Sequence, residues 1–296
     1  MKRIVLYFLA ACFTACGFSA QAKHMTKVVA FVNLTDMKAA WLEMQDTRTN
    51  NTHSITTRQL VRQGDRFTDE VFIGGRVQVE IVQIDFTNGT IKAKEDGAET
   101  IYQFKLDRTA GTTLAQPGIH FVDASLDTAL DFYALIVGRT VLVHPDVHQM
   151  TAPVSIQARD KAEFVSALEG FMREEKIAAI PDGNKFELIV PERLEKATRS
   201  NLDDSSSQKP DTETPGISLQ YSRVDLGQVL NVYESFVGKK QITHESLPLT
   251  SFNLQTQAPL TKAEVLHAFD TLFAWHGVKV VNIDEKTFKI VQIGKP

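Results

Sequence analysis

The feature that most constrains this chain is a repeat. "VGRTVLVHP" from Val137 is matched a hundred residues later by "VGKKQITHE" from Val237. Each follows a helical stripe. In the first stretch, Leu126, Ala129, Leu130, Tyr133, Ala134 and Val137 fall on one helix face behind a Ser125 cap. In the second, Leu226, Val229, Leu230, Tyr233 and Val237 follow an Asp225 cap. Gly138 and Gly238 stand where each helix should stop. The strand patterns "APVSIQA" and "FNLQTQA" come next. Each is followed by a second capped helix, at Asp160–Glu163 and at Thr261–Glu264, and by a closing hairpin. The agreement of caps, stripes and stops predicts a duplicated β-α-β-β-α-β-β module, over residues 119–190 and 217–292.

The chain before the repeat reads differently. Val77, Val79 and Ile81 alternate with polar residues, and Asn88-Gly89 and Asp96-Gly97 separate β-prone runs as type I′ hairpin signals. Residues 27–106 are therefore expected to form a small antiparallel β-barrel or sandwich. The expected class is multi-domain α+β, with that β-domain ahead of the two modules. Residues 107–118 read as a linker. Residues 191–216, ending in "RSNLDDSSSQKPDTETPG", read as a flexible or extended tether that leaves the modules free of rigid mutual packing.

Residues 1–22 carry Lys2 and Arg3, an apolar run from Ile4 to Phe18, and a small-x-small ending at Ala22. This is the plan of a secretory signal, cleaved after Ala22, and it places the protein in the periplasm. A rival reading makes Cys12 or Cys16 a lipidation site in a membrane-anchored lipoprotein. Both cysteines lie in this leader, so thiol catalysis and disulfides are not expected of the mature chain. Losing the two basic residues takes the formal net charge from −4 to −6. That disfavours nucleic acid and anionic membranes as partners.

Residues 119–190 resemble the N-terminal repeat domains of bacterial secretins, the outer-membrane pores of type II secretion and type IV pilus systems. The resemblance rests on helix, Gly138, "TVLVHPDVHQMTAPVSIQA" and a second capped helix. Residues 217–292 resemble them less, since Glu245 stands where the first copy has Pro145. Val61, Gly64, Asp65, Ile81 and Ile84 resemble the motif of the small β-domain in the secretins' inner-membrane partners. The resemblance implies small sheets with two helices on one face, suited to periplasmic rings. It implies as partners a secretin or its inner-membrane assembly proteins, with a homo-oligomer also open. Pro296 follows the second repeat directly, so no pore domain is expected and the chain itself would not form the channel.

Chemistry is sparse. His144 and His148 are four apart, but Pro145 and the strand context break the helical alignment a metal would need. G-x-S-x-G, H-E-x-x-H and Walker-type loops do not occur. Neither enzymatic activity nor a cofactor is expected. The function expected is that of a non-enzymatic adaptor acting through strand edges, with contacts at Val141 and Val143, Val154 and Ile156, and Phe252 and Leu254. The alternative is a module that binds an envelope ligand such as peptidoglycan, or one that serves in uptake signalling.

Overall fold

The computed structural model describes residues 23–47, 55–69, 77–103, 116–149, 152–205, 216–242 and 251–293. The leader, with Cys12 and Cys16, lies outside the described residues, as do most of the 107–118 segment and the 206–215 part of the second linker. The fold is multi-domain α+β, with six helices and no closed barrel among the described residues. It divides into two compact units. One is the chain up to Ala124 with Ser155–Asp160, and the other is Ser125–Val154 with Lys161–Pro296.

In the first unit, β1 (Lys23–Asn33), β2 (Lys38–Thr47) and β3 (Ile55–Val61) form an antiparallel meander. A second meander joins β4 (Arg66–Asp69), β5 (Val77–Asp85), β6 (Thr90–Glu95) and β7 (Ala98–Gln103). Alternation sends Val28, Phe31, Ala40 and Leu42 of one sheet and Val79, Ile81, Ile91 and Ala93 of the other into a shared core. The result is two packed sheets. Gly64, at φ +89°, donates its N–H to Ile81 O, and Ile81 returns an N–H to Asp65 O, both at 2.8 Å. The Asp65 carboxylate accepts from Arg62 N–H, so it serves the turn. Asp96 and Gly97 both have positive φ, as a two-residue type I′ turn requires. The Asn88-Gly89 turn differs from expectation. It is a four-residue loop in which only Gly89 has positive φ. The Asp85 carboxylate accepts from Thr87 and Asn88 N–H at 2.8 and 3.1 Å, which stabilises the longer loop.

The first meander continues into residues expected to belong to the first repeat. β8 (Gly118–Ala124) pairs antiparallel with β1, and the sheet order is β10-β8-β1-β2-β3, where β10 is Val154–Ala158. The 119–190 module is therefore not self-contained, and the unit boundary falls at Ala124. The physical cause is the free edge of β1. Ala30 opposes Phe121 and Val32 opposes Ile119, and all four are fully buried. An apolar run such as "IHFVDA" does not encode which strand it will pair with.

The second unit holds α1 (Leu126–Val137), β9 (Thr140–Val143), the single turn α2 (Pro145–His148), α3 (Lys161–Glu174), β11 (Ile177–Asp182) and β12 (Phe186–Pro191). After α4 (Glu192–Ser205) come β13 (Gln220–Asp225), α5 (Leu226–Val237), β14 (Lys240–Ile242) and β15 (Ser251–Gln255). The chain closes with α6 (Lys262–Trp275), β16 (Val278–Asn282) and β17 (Thr287–Gln292). Counting β8 and β10, the β-α-β-β-α-β-β order occurs twice. Sheet β11-β12-β9 corresponds to β16-β17-β14, each with one parallel and one antiparallel pair. The caps agree too. Ser125 accepts from Thr128 N–H and Asp225 from Gln228 N–H, while Gly138 and Gly238 both sit at φ 68°.

The expected tether is in part a helix. α4 covers Glu192–Ser205, with Glu192 and Glu195 in its first turn and an Arg199–Glu195 ion pair at 2.9 Å. Arg193 also pairs with Asp146. The segment reads as polar because charged and polar residues surround its two leucines, Leu194 and Leu202, of which Leu202 packs against the shared core. The modules also pack together. Leu142, Ile180, Phe186, Leu188 and Val190 of the first copy form one core with Val265, Phe269 and Phe273 of the second.

Candidate interaction surfaces

The interface between copies follows from register. In sheet β11-β12-β9, Ile180 opposes Leu188, which opposes Leu142, so these share a face with Phe186 and Val190. All five are buried in one core with residues of the second copy, and β15 as well as α6 and the loop between them lies against the first copy. Phe186 packs on His267 at 5.6 Å between ring centroids, and His144 on Trp275 at 5.4 Å edge to face. His267 Nε2 donates to Asp182 Oδ2 at 2.5 Å, Gln257 N–H to Thr140 Oγ1 at 3.4 Å, and Lys185 Nζ to Pro259 O at 3.3 Å. The first copy contributes a sheet face and the second a helix, a loop and the strand β15. The contact is therefore heterologous.

Electrostatics reinforce this frame. The hydrogen bond to Asp182 raises the His267 pKa above its ordinary value, against the opposing effect of burial. Burial pushes the Glu187 carboxyl up, although Arg139 pairs with it at 2.6 Å and pulls the other way. Tyr133 OH donates to Glu169 at 3.4 Å and Tyr233 OH to Asp270 at 3.2 Å, so each copy has the same link between its two helices.

The histidines part company. His144 is buried, and its Nδ1 accepts from Asp146 N–H at 3.2 Å, capping α2. His148 Nδ1 bonds Asp127 Oδ1 at 2.8 Å. His244 lies outside the described residues. Among the described residues, no three His, Cys, Asp or Glu are grouped to hold a metal.

The strands expected to make contacts all lie at sheet edges, but their side chains differ. Val141 and Val143 on β9 are half-buried, on the face opposite Leu142. Val154 and Ile156 on β10 are buried, as are Phe252 and Leu254 on β15, which serve the second copy's core. The docking residues Ile180, Phe186 and Leu188 were not singled out by sequence reasoning. A signal for them exists. "FELIVP" is apolar at both parities, the mark of a strand buried on both faces, whereas "TFKIVQ" in the second copy alternates.

An open groove of about 460 Å³ runs over β11 between α3 and α4. Its walls carry Glu169, Glu187, Glu192 and Glu195 with Arg173, and its floor includes Ile177 and Pro181. Its chemistry is that of carboxylates around an apolar floor.

No family model and no curated protein matches the chain. Among solved structures, a putative anti-sigma factor from Parabacteroides distasonis ATCC 8503 is similar at 11% identity. The match covers 56% of this chain and 98% of that one at a TM-score of 0.25, a likeness too slight to carry over fold or function. No helix among the described residues is long and apolar enough to cross a membrane.

Proposed function

We propose that this protein is a non-enzymatic periplasmic adaptor or accessory component of a secretin-based type II secretion or type IV pilus-like system, and that it acts by protein–protein contact. The observation that supports this most is the heterologous packing of the two copies. The module's sheet face serves, inside this chain, as a surface on which another module docks. A fold that already joins copies by unlike surfaces is suited to joining further components. The repeated element order is also the one that the secretin-repeat resemblance implies.

The test is crosslinking in intact cells, followed by purification of the tagged protein and mass spectrometry. Recovery of a secretin or its inner-membrane assembly proteins is the expected outcome. A preparation holding only this protein, with a control crosslink working, would overturn the reading. Saturable binding of purified glycan by the mature protein alone would put an envelope-ligand module in its place.

A further inference from the structure

The docking face of the first copy has a counterpart in the second, and that counterpart lies outside the shared core. By register, Lys240 opposes Thr287, Ile242 and Val281 flank Lys289, and Lys279 opposes Val291. These residues share the face turned away from Phe288 and Val278, which lie in the core. Lys240, Lys279 and Lys289 are exposed. Ile242, Val281 and Val291 are half-buried between them. The alternation continues to Ile283, which is 51% exposed, and Ile293, which is 38% exposed. Of the three large hydrophobic side chains most exposed among the described residues, this face holds two. None of its strand positions is acidic.

We propose that this face docks an acidic amphipathic helix of a partner protein. Two observations select that occupant. The first is internal precedent. On the equivalent face of the first copy, Phe186 packs on His267 of α6, and Leu202 of α4 and strand β15 join the same core, so helices supply much of its cover. The second is charge. Three lysines spaced across aliphatic side chains match a helix whose apolar stripe is flanked by carboxylates, with the lysine stems lying along the apolar surface and their ammonium groups at the rim. Lysine also replaces the leucine and alanine that make the first copy's face a permanent interior: Lys289 for Leu188 and Lys279 for Ala178. Such a face stays soluble when empty and takes a partner reversibly. The inference rests on the reading of the protein as an interaction component, but not on the secretin assignment.

The experiment places a photocrosslinking amino acid at Val281 or Val291 of the full chain in its own host, with Glu99 of the first unit as the control site. Adducts are mapped to the peptide. The expected result is a protein adduct whose crosslinked segment is a helix with carboxylates flanking aliphatic positions. The double reversal K279E and K289E should lower its yield by about tenfold or more, since it sets like charges against each other. A Glu-to-Lys change in the partner segment should restore it. Both lysines are exposed, so the reversal variant should keep its melting curve, which is recorded alongside. Adducts only to lipid, only to a second copy of this chain, or no more abundant than at Glu99 would overturn the proposal. So would a yield indifferent to charge reversal. An acidic-helix partner unrelated to secretins would keep this inference and overturn the proposed function. Co-purification of a secretin without adducts on this face would do the opposite.

Discussion

The two copies share an element order, caps and a Tyr–carboxylate link between helices, yet their sheets face opposite fates. Sheet β11-β12-β9 carries Leu142, Ile180 and Leu188 where β14-β17-β16 carries Ile242, Val281 and Lys289. The first set is interior, and the second meets solvent. A module fold thus leaves its outer sheet face undetermined. A few side chains decide whether that face becomes core or surface, as in repeat arrays whose last member has a polar exterior. The strand pair at the other end differs as well. β8 is buried along most of its length between β1 and β10, whereas Gln220 in β13 is exposed and, among the described residues, β13 pairs with β15 alone.

The comparison breaks most sharply by exchanging residues. Leu188→Lys places a charge in the shared core, and unfolding in urea should show a loss of about 4 kcal/mol or more in the second unit. The reciprocal Lys289→Leu should leave stability within about 0.5 kcal/mol and instead promote self-association, seen by analytical ultracentrifugation. Equal effects for the two changes would contradict the assignment of one face as interior and the other as surface.

A smaller effect tests the ion pair that only the first copy has. Arg139→Ala leaves the Glu187 carboxylate buried without its partner and should cost about 3 kcal/mol. Glu187→Gln in the same chain should recover most of that loss. Lys239, the counterpart of Arg139, bonds Asn282 at the surface, and Lys239→Ala should cost less than about 0.5 kcal/mol.

The helix caps should behave alike in both copies. Ser125→Ala and Asp225→Ala should each cost about 1 kcal/mol by chemical denaturation, since each removes one acceptor from a free N–H. A large difference between them would show that the copies do not share local energetics.

The smallest effect is pH-dependent. His267 has a raised pKa when folded, so its bond to Asp182 contributes fully below the unfolded value and is lost as pH rises through the folded one. The melting temperature should therefore fall slightly from about pH 6.5 upward. Asp182→Asn should flatten that slope, and NMR titration of His267 should show its pKa drop. A slope unchanged by Asp182→Asn would remove this pair from the interface.

Much of the fold was legible in local signals. The stripe from Leu126 to Val137 and the stop at Gly138 depend on helix periodicity and on one backbone conformation, and neighbouring residues encode both. The same holds for the duplicated module order and for the Asp96-Gly97 turn. The α4 helix is not legible because most of its residues are polar or charged around two leucines, so its composition resembles a linker. The docking face was half legible, in the apolar stretch "FELIV" interrupted only by Glu187, but its counterpart's lysines read as ordinary surface.

Local sequence thus determined most of the strands and helices and the stops at Gly138 and Gly238, though not the polar helix α4. Only the tertiary structure decided that β8 and β10 extend the sheet begun by β1, and that the two copies share a core. Strand pairing and face burial depend on which complementary surface lies free elsewhere in the chain. Backbone hydrogen bonds are the same with any partner, and apolar burial carries no direction, so no short stretch of residues specifies that choice.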